Sequence, residues 1–180
     1  MCDTIQGLKN NIIHSFYTQQ NKINHVKVND QLTAEVVAFS INRKIDNLLM
    51  VDWGEDHLKE TMAVMKNLPT TRYANYSECW RKGLNYCTIE LLKNINSRRA
   101  IIHFTTDLRE SAYQCLMTVQ FLIRNEKLMM IANFRSWELS EFAIYDLCLL
   151  TSMADEMARH LGKKSLGELI ITAGSAHINL

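Results

Sequence analysis

The spacing of hydrophobic positions predicts helices and strands that interleave along the chain. Apolar residues three and four apart predict helices at 5–20, 56–68 and 142–161, and in the segment that follows Trp80-Arg81 and ends at Asn96-Ser97. Apolar or β-branched runs predict strands at 36–41, 98–104, 118–123, 128–134 and 169–172, with a hairpin turn at 124–127. Because the two kinds of element interleave, the predicted fold class is α/β or α+β with a substantial sheet.

Composition narrows this picture to one domain with its own core. The chain has 180 residues, of which 47% are hydrophobic, enough for a single packed core. Its net charge of +1 gives no electrostatic basis for sequence-independent binding to nucleic acid. The sequence has neither an apolar run long enough to cross a membrane nor the apolar segment of a signal peptide. Five cysteines without CxxC or Cys/His metal spacing favour a reduced cytoplasmic compartment and no bound metal.

The segment from Tyr113 to Asp146 holds the strongest candidates for chemistry. It places Cys115 before the predicted hairpin, Arg135-Ser136 at the end of the hairpin, and Asp146 eleven residues after Arg135. A cysteine is more often a small buried hydrophobic residue than a nucleophile. An arginine nearby favours the thiolate, which is the nucleophilic form. Asp146 can be interpreted either as an N-terminal cap of the following helix or as a carboxylate that reads a ligand.

Two arginines at the start of a predicted strand, Arg98 and Arg99, also allow two interpretations. A basic pair is commonly a solvated part of the surface. The sharper interpretation is a phosphate clamp, because guanidinium forks match phosphate oxygens two at a time. His177 near the end of the chain, and Tyr76 and Trp80 among apolar residues, have equally ordinary structural roles.

Several motifs, taken in chain order, resemble the thymidylate synthase superfamily. That family has a Tyr-Gly-x-x-Trp-Arg segment, a Ser-Arg-Arg-x-Ile-Ile strand start, a nucleophilic cysteine, a hairpin, an Arg-Ser pair and a late Gly-x-x-His. The similar residues here are Tyr76-x-x-x-Trp80-Arg81, Ser97-Arg98-Arg99-x-Ile101-Ile102, Cys115, Gln120-Phe121, Arg135-Ser136 and Gly174-x-x-His177. The resemblance implies a thymidylate synthase-like fold, in which a mixed sheet is flanked by helices and two subunits pack through their sheets as a two-fold homodimer.

Within the superfamily, the position of Asp146 favours the bacteriophage-type dCMP hydroxymethylases. Thymidylate synthases have an asparagine there, which reads uracil, whereas the hydroxymethylases have aspartate. Their hairpin also contains a run similar to Thr118–Arg124. Cytosine presents an N4 amino donor, from which a carboxylate accepts, and its N3 can be paired if it takes a proton. Uracil would place O4 against the carboxylate, and such a mismatch can discriminate by ~10⁴.

The resemblance implies folate-dependent hydroxymethylation of a pyrimidine nucleotide, dCMP or CMP. The Cys115 thiolate would add to C6 of the ring, and 5,10-methylenetetrahydrofolate would supply the one-carbon unit without a metal. Asp146 would read the base and Glu60 would act as a general base. Arg135 and Ser136 would bind the 5′-phosphate, together with Arg98 and Arg99 from the second subunit. His177 would hydrogen-bond the sugar. Tyr76 and Trp80 would form the pocket wall, and Glu138 and Trp80 would contact folate.

The chain also departs from the family, which leaves alternatives open. It has Ser77, Gln114 and Asn179 where the family has glycine, proline and a sugar-binding tyrosine. The family's N-terminal phosphate-binding arginine has no clear counterpart, and its expected place is at or near Asn29. The family continues beyond the position of Leu180, so we expect a single domain, 1–180, shortened at its C-terminus and less able to close over folate. The alternatives are a catalytically diminished homologue that binds a nucleotide or a protein partner, and a thymidylate synthase that methylates dUMP.

Overall fold

The chain forms mixed α/β structure in a computed structural model that describes residues 4–19, 22–28, 31–70, 76–104 and 114–180. The helices are α1 (Ile5–Tyr17), α2 (Ile45–Leu49), α3 (Glu55–Lys66), α4 (Ser77–Lys93) and α5 (Phe142–His160). The strands are β1 (Ile23–Val28), β2 (Gln31–Lys44), β3 (Ile101–His103), β4 (Leu116–Arg124), β5 (Lys127–Glu138) and β6 (Ser165–Asn179).

The strands form one mixed sheet of six, in the order β1-β2-β6-β5-β4-β3. Neighbouring strands are antiparallel except β5 and β6, which are parallel and are joined through α5. A crossover helix of this kind is the usual way to connect parallel neighbours. The β4–β5 hairpin turns at Asn125 and Glu126, whose φ angles of 49° and 63° are those of a tight two-residue turn.

The described helices pack around α5 on one face of the sheet. Helix α5 packs on β5 and β6 and also contacts each of the other four helices. It is therefore buried on several sides, between the sheet and the remaining helices. The largest fully buried side chains of the core are Trp80, Trp137, Phe16, Phe39, Phe104 and Phe121.

The predicted helices are confirmed, with shifts at their ends. Helix α3 ends at Asn67, which takes the left-handed conformation (φ 59°), and α5 ends shortly before Gly162 (φ 77°), the predicted stop. Helix α4 ends earlier than predicted, at Lys93. The segment after it is held by the Ser97 hydroxyl, which donates to Glu90 Oε1 at 2.6 Å.

The predicted strands are confirmed in place but differ in length. Strands β2, β5 and β6 are longer than predicted, β3 is shorter, and β1 and the short helix α2 were not predicted. In β5 and β6 the extra length includes positions at which the alternation of buried and exposed residues fails, whereas in β2 this failure lies inside the predicted run 36–41. Three pairs of residues, each three apart along its strand, are buried on the same face: Val36 and Phe39, Phe134 and Trp137, Ala173 and Ala176.

This irregularity, which we call the central kink, crosses three neighbouring strands at one level. Regular alternation would put residues three apart on opposite faces. Instead, each strand leaves two consecutive residues out of the core, and Ala38 in β2 has a φ of 56°. A period of two therefore breaks at this level, which is why the predicted strands at 128–134 and 169–172 stopped short of the ends of β5 and β6.

The face of the sheet opposite the helices has no helical cover among the described residues. Partly exposed apolar side chains lie together on it, with Leu122 opposite Met129 and Ile131 opposite Ile170 in neighbouring strands. In the part of the chain that the structure describes, no helix combines the length and the apolarity needed to cross a bilayer.

Candidate active site

The central kink brings two polar residues of β5 to the surface at one end of the sheet. Arg135 and Ser136 lie between the buried residues Phe134 and Trp137, so both turn away from the core. Strand β6 approaches closely here, since a Cβ on Gly174 would lie 3.0 Å from the Arg135 carbonyl oxygen. This close approach of two backbones explains the glycine at 174.

Cys115 lies directly beside Arg135. The Arg135 backbone N–H donates to the Cys115 carbonyl at 2.9 Å, and its Nε donates to the Gln114 carbonyl at 2.9 Å. Burial raises the pKa of the Cys115 thiol, the Arg135 charge lowers it, and the Asp146 charge raises it; the net pKa is above the ordinary value. Arg135 thus lowers the pKa of Cys115 as predicted, but the effect of desolvation is larger. The resting side chain is therefore the protonated thiol.

Cys115 differs from the other cysteines that the structure describes. All four are free thiols, but Cys79, Cys87 and Cys148 are buried, whereas Cys115 is partly accessible. Burial raises the pKa of Cys87 to about 12, and that of Cys148 to about 11. Among the described residues, Cys115 is therefore the cysteine best placed to react.

Asp146 brings a carboxyl group from α5 to the same place. Trp137 Nε1 donates to Asp146 Oδ2 at 3.1 Å, and part of the aspartate remains accessible. Burial raises the pKa of Asp146 to about 7, with the Trp137 hydrogen bond lowering it and the Glu138 charge raising it. The capping interpretation is wrong, because Asp146 lies inside α5, whose N-cap residue is Glu141. A carboxyl group that titrates near neutral pH can exchange a proton with a ligand.

Tyr76 completes this first group of residues. Its buried hydroxyl accepts a hydrogen bond from the Leu116 backbone N–H at 3.2 Å. Burial raises the pKa of Tyr76, and the charges of Asp146 and Cys115 raise it further, so the phenol stays neutral. We call Cys115, Arg135, Asp146 and Tyr76 the thiol group.

A second group adjoins the first through Ser136. The Ser136 hydroxyl lies 3.4 Å from His177 Nδ1. Both residues line a cavity of about 330 Å³, here called the polar cavity. Its other lining residues are Gln31, Thr33, Glu35, Ser175 and Asn179. The structure thus brings the predicted sugar-binding residue, His177, next to the predicted phosphate-binding residue, Ser136.

Trp80 is a core residue. It is 1% exposed, its Nε1 donates to Glu156 Oε2 at 3.0 Å, and its ring lies 6.2 Å from that of Phe121. It therefore supports the packing of α4 on α5 and β4. Because its side chain is buried, Trp80 does not expose a surface that could contact a nucleotide or folate directly.

Glu138, the other residue predicted to bind folate, caps helix α5. Its carboxylate accepts from the backbone N–H groups of Ser140 and Glu141, each at 2.8 Å, and of Phe142 at 3.1 Å. Burial raises the pKa of Glu138, but these hydrogen bonds outweigh it and the net pKa is lowered. A charged cap at a helix N-terminus is a stabilising arrangement.

Glu60 lies on α3, which packs against the segment of α5 that carries Asp146. The ring of His57 lies 4.1 Å from that of Tyr145, and Thr61 lies close enough to Cys148 to lower the pKa of its thiol. Glu60 is partly buried between these two contacts along α3. Its role as a general base stays a prediction.

Arg98 and Arg99 lie apart from the thiol group within one chain. Both are exposed and line a separate cavity of about 250 Å³ at the end of α4. Extending the register of β3 and β4 places Arg99 opposite Leu122, six residues along β4 from Leu116. Six residues of extended strand span about 20 Å. A single subunit therefore does not join the arginine pair to Arg135.

Sequence reasoning missed two residues that shape the site. Trp137 holds Asp146, and Gln114 orients the Arg135 side chain through its carbonyl. In the sequence, these two residues are marked only by being next to predicted site residues, since Gln114 precedes Cys115 and Trp137 follows Ser136. Asn29, considered as a phosphate-loop position, lies outside the described residues.

Comparison of the sequence with protein-family models gives no match, and comparison with curated proteins gives none either. The function is therefore argued from the residues of the site and their geometry.

Proposed function

We propose that this chain is a pyrimidine nucleotide C5 hydroxymethyltransferase acting on CMP or dCMP. The observation that carries the proposal is the thiol group itself, which gathers a cysteine, a guanidinium, an acid that titrates near neutral pH and a neutral phenol. Covalent addition to a ring of a phosphate ester needs a nucleophile, a proton carrier and an anion-binding group in one place.

Arg135 and Ser136 are proposed to bind the 5′-phosphate. The hydrogen bond from Arg135 Nε to the Gln114 carbonyl, at 2.9 Å, orients the guanidinium plane beside Cys115. Binding the phosphate there would place the attached ring near the sulfur. Positioning of this kind supplies much of the rate in reactions between bound groups.

Asp146 is proposed to read cytosine. With a pKa of about 7, its carboxyl group can share one proton with N3 of the ring while accepting from the N4 amino group. The bond from Trp137 Nε1 to Oδ2 fixes the orientation of the carboxyl group. The ionised carboxylate would repel O4 of uracil, which argues against the alternative of a dUMP-methylating enzyme.

The chemistry proposed for Cys115 begins with loss of its proton, because its pKa is raised. The sulfur then forms a bond to C6, and the electrons of the C5–C6 double bond make C5 nucleophilic. When bound, methylenetetrahydrofolate would supply C5 with a one-carbon unit at the oxidation level of formaldehyde and would leave as tetrahydrofolate. Water would supply the oxygen of the resulting hydroxymethyl group. C5 loses its proton, and breaking of the S–C6 bond returns the Cys115 thiolate. Trp80 is packed in the core and Glu138 caps α5, so we do not propose that either residue binds folate.

The proposed enzyme is a homodimer packed through its sheets, with a thymidylate synthase-like fold. Its support is the apolar sheet face, including Leu122 and Ile131, that no described helix covers. A two-fold partner on that face would present its own Arg98 and Arg99, which in one chain lie apart from Arg135.

One alternative has a specific observation in its favour. The raised pKa of Cys115 means that the resting sulfur is a thiol, as expected of a diminished homologue that binds a nucleotide without turnover. Binding and turnover have to be measured separately to distinguish the two functions.

The test is release of tritium from C5 of labelled CMP, dCMP, UMP and dUMP, with and without methylenetetrahydrofolate, together with the product mass. We expect release from the cytosine nucleotides and a mass gain of one CH₂O unit. Cys115→Ala should lower release by on the order of 10⁴ or more, because the covalent step is lost. Nucleotide binding should persist in that variant.

Cys87→Ala is the matched control, since Cys87 is a free cysteine buried in the core and should leave release intact. Saturable nucleotide binding without release would favour the non-catalytic alternative. Release from dUMP alone, with a methylated product, would favour a thymidylate synthase. Absence of binding by all four nucleotides would reject the proposal.

A further inference from the structure

The polar cavity beside Ser136 and His177 has an unusual lining for a space at a phosphate-binding site. Every residue that lines it carries a side-chain group that can hydrogen-bond. Among the described residues that line it, none is lysine or arginine. Ser136 belongs both to this lining and, through Arg135, to the proposed phosphate site.

Among the described residues that line this cavity, Glu35 is the one with a carboxylate. It lies on β2 directly opposite His177 of β6, so the two side chains project from the same face. The Ser175 hydroxyl donates to Glu35 Oε1, which ties the carboxylate to the neighbouring strand. Glu35 is thus held in a defined place, partly buried, next to the residues proposed to bind the nucleotide.

The charge of this wall discriminates between possible occupants. A phosphate would meet a carboxylate with no arginine or lysine beside it, which is electrostatically unfavourable. A neutral group with several hydroxyls would instead donate to the carboxylate. A carboxylate that accepts from ribose hydroxyls is a known way of recognising a ribonucleotide sugar.

The order of groups along the surface agrees with a nucleotide lying across it. Arg135 and Ser136 are consecutive, and Ser136 is 3.4 Å from His177, which faces Glu35 across the strand pair. A sugar attached to a phosphate at Arg135 would therefore reach the polar cavity, with its hydroxyls toward Glu35.

We propose that Glu35 accepts hydrogen bonds from the vicinal 2′- and 3′-hydroxyls of the sugar, so that the substrate class is the ribonucleotide and not the deoxyribonucleotide. This rests on the proposed function for the presence of a nucleotide. The sugar recognition itself is carried by Glu35, Ser175 and His177, and it is testable without a base.

The experiment measures dissociation constants by calorimetry for two matched pairs, CMP with dCMP and ribose 5-phosphate with 2-deoxyribose 5-phosphate. UMP is measured beside CMP to give the preference for cytosine over uracil. We expect the ribose member of each pair to bind on the order of 10- to 100-fold more tightly, the effect of one hydrogen bond to a charged group. Glu35→Gln should bring both ratios close to one, mainly by weakening the ribose member. Ser175→Ala, which releases the carboxylate, should lower both ratios in part.

Glu168→Gln is the matched control, because it makes the same change on β6 at the other end of the sheet. Equal binding within both pairs, or ratios unchanged in Glu35→Gln, would overturn the inference. A ribose preference without preference for cytosine over uracil would uphold the sugar inference while rejecting the proposed function. A cytosine preference with no ribose preference would uphold the proposed function while rejecting the sugar inference. No binding by any ligand of the two matched pairs would reject both the proposed function and the sugar inference.

Discussion

The two ends of the sheet carry ionisable groups in different ways. At the kinked end, Cys115, Arg135 and Asp146 come from just before β4, from β5 and from α5, and the charges of Arg135 and Asp146 both act on the pKa of Cys115. At the hairpin end, the cations are spread over strand ends and turns. A cavity of about 550 Å³ there is lined by Lys44, Arg124 and Lys127 together with Asp46 and Glu168.

The difference follows from the backbone. At the hairpin end, β4 and β5 alternate regularly up to a two-residue turn, so charged side chains point outward and remain separate. At the other end, the central kink turns two consecutive residues per strand out of the core, which crowds polar groups onto one surface. The crowded end therefore has the environment that shifts pKa values.

The sharpest way to test this contrast is subunit complementation. Cys115→Ala subunits and Arg98→Ala/Arg99→Ala subunits should each be nearly inactive as pure dimers. Random pairing makes half of the dimers mixed, and each mixed dimer has one intact site if the arginines cross the interface. Tritium release should then recover to about a quarter of the wild-type rate.

Mixing Cys115→Ala with Arg135→Ala is the control for this experiment. Both residues belong to the same site in one chain, so no mixed dimer contains an intact site and release should not recover. Recovery in the control, or none with the arginine variant, would show that Arg98 and Arg99 act differently from the proposal.

A second test asks how strongly the kinked end desolvates Asp146. Its folded pKa of about 7 lies above the ordinary 3.8, so its contribution to stability is fully present below about pH 4 and is lost as pH rises through 7. Asp146→Asn should therefore be more stable than the wild type at pH 8 by on the order of 2 kcal/mol, a value discounted because the aspartate is partly accessible. Urea unfolding at pH 4 and pH 8 measures the difference.

The same variant reports on base reading. Asparagine should shift the binding preference from cytosine toward uracil nucleotides, because its amide complements N3–H and O4. A stability difference that does not change with pH would contradict the desolvated carboxyl group, whereas an unchanged base preference would contradict its contact with the ring.

The smallest expected effect concerns the thiol. Arg135→Gln removes the charge that lowers the pKa of Cys115, so alkylation by iodoacetamide at pH 8 should slow about three- to tenfold. The pH midpoint of the alkylation rate should rise. Mass spectrometry of the Cys115 peptide gives both quantities.

Arg124→Gln makes the same charge change at the hairpin end and should leave the alkylation of Cys115 unaltered. Equal slowing in the two variants would mean that net charge, and not the neighbouring guanidinium, controls the thiol.

Much of the fold was predictable from the sequence. Helices α1, α3 and α5 and the β4–β5 hairpin were predicted because each presents one continuous face to the core, which leaves a regular period in the sequence. The same hairpin brings Cys115 close to Arg135, but its regular register would place Cys115 opposite Ser136. The irregularity between Leu116 and Thr118 shifts the pairing to Arg135. Asp146 was singled out by spacing and resemblance, not by periodicity.

The sequence by itself therefore determined the interleaved elements, the hairpin and the order of Cys115, Arg135 and Asp146, because those depend on periods and turns within a few residues. Only the tertiary structure decided that β2, β5 and β6 kink together, that Trp137 holds Asp146, and that Glu138 caps α5. It also decided that Glu35 meets Ser175, a contact between residues 140 positions apart. Local pattern carries no information about such a pair, because its distance is set by the strand order of the whole sheet.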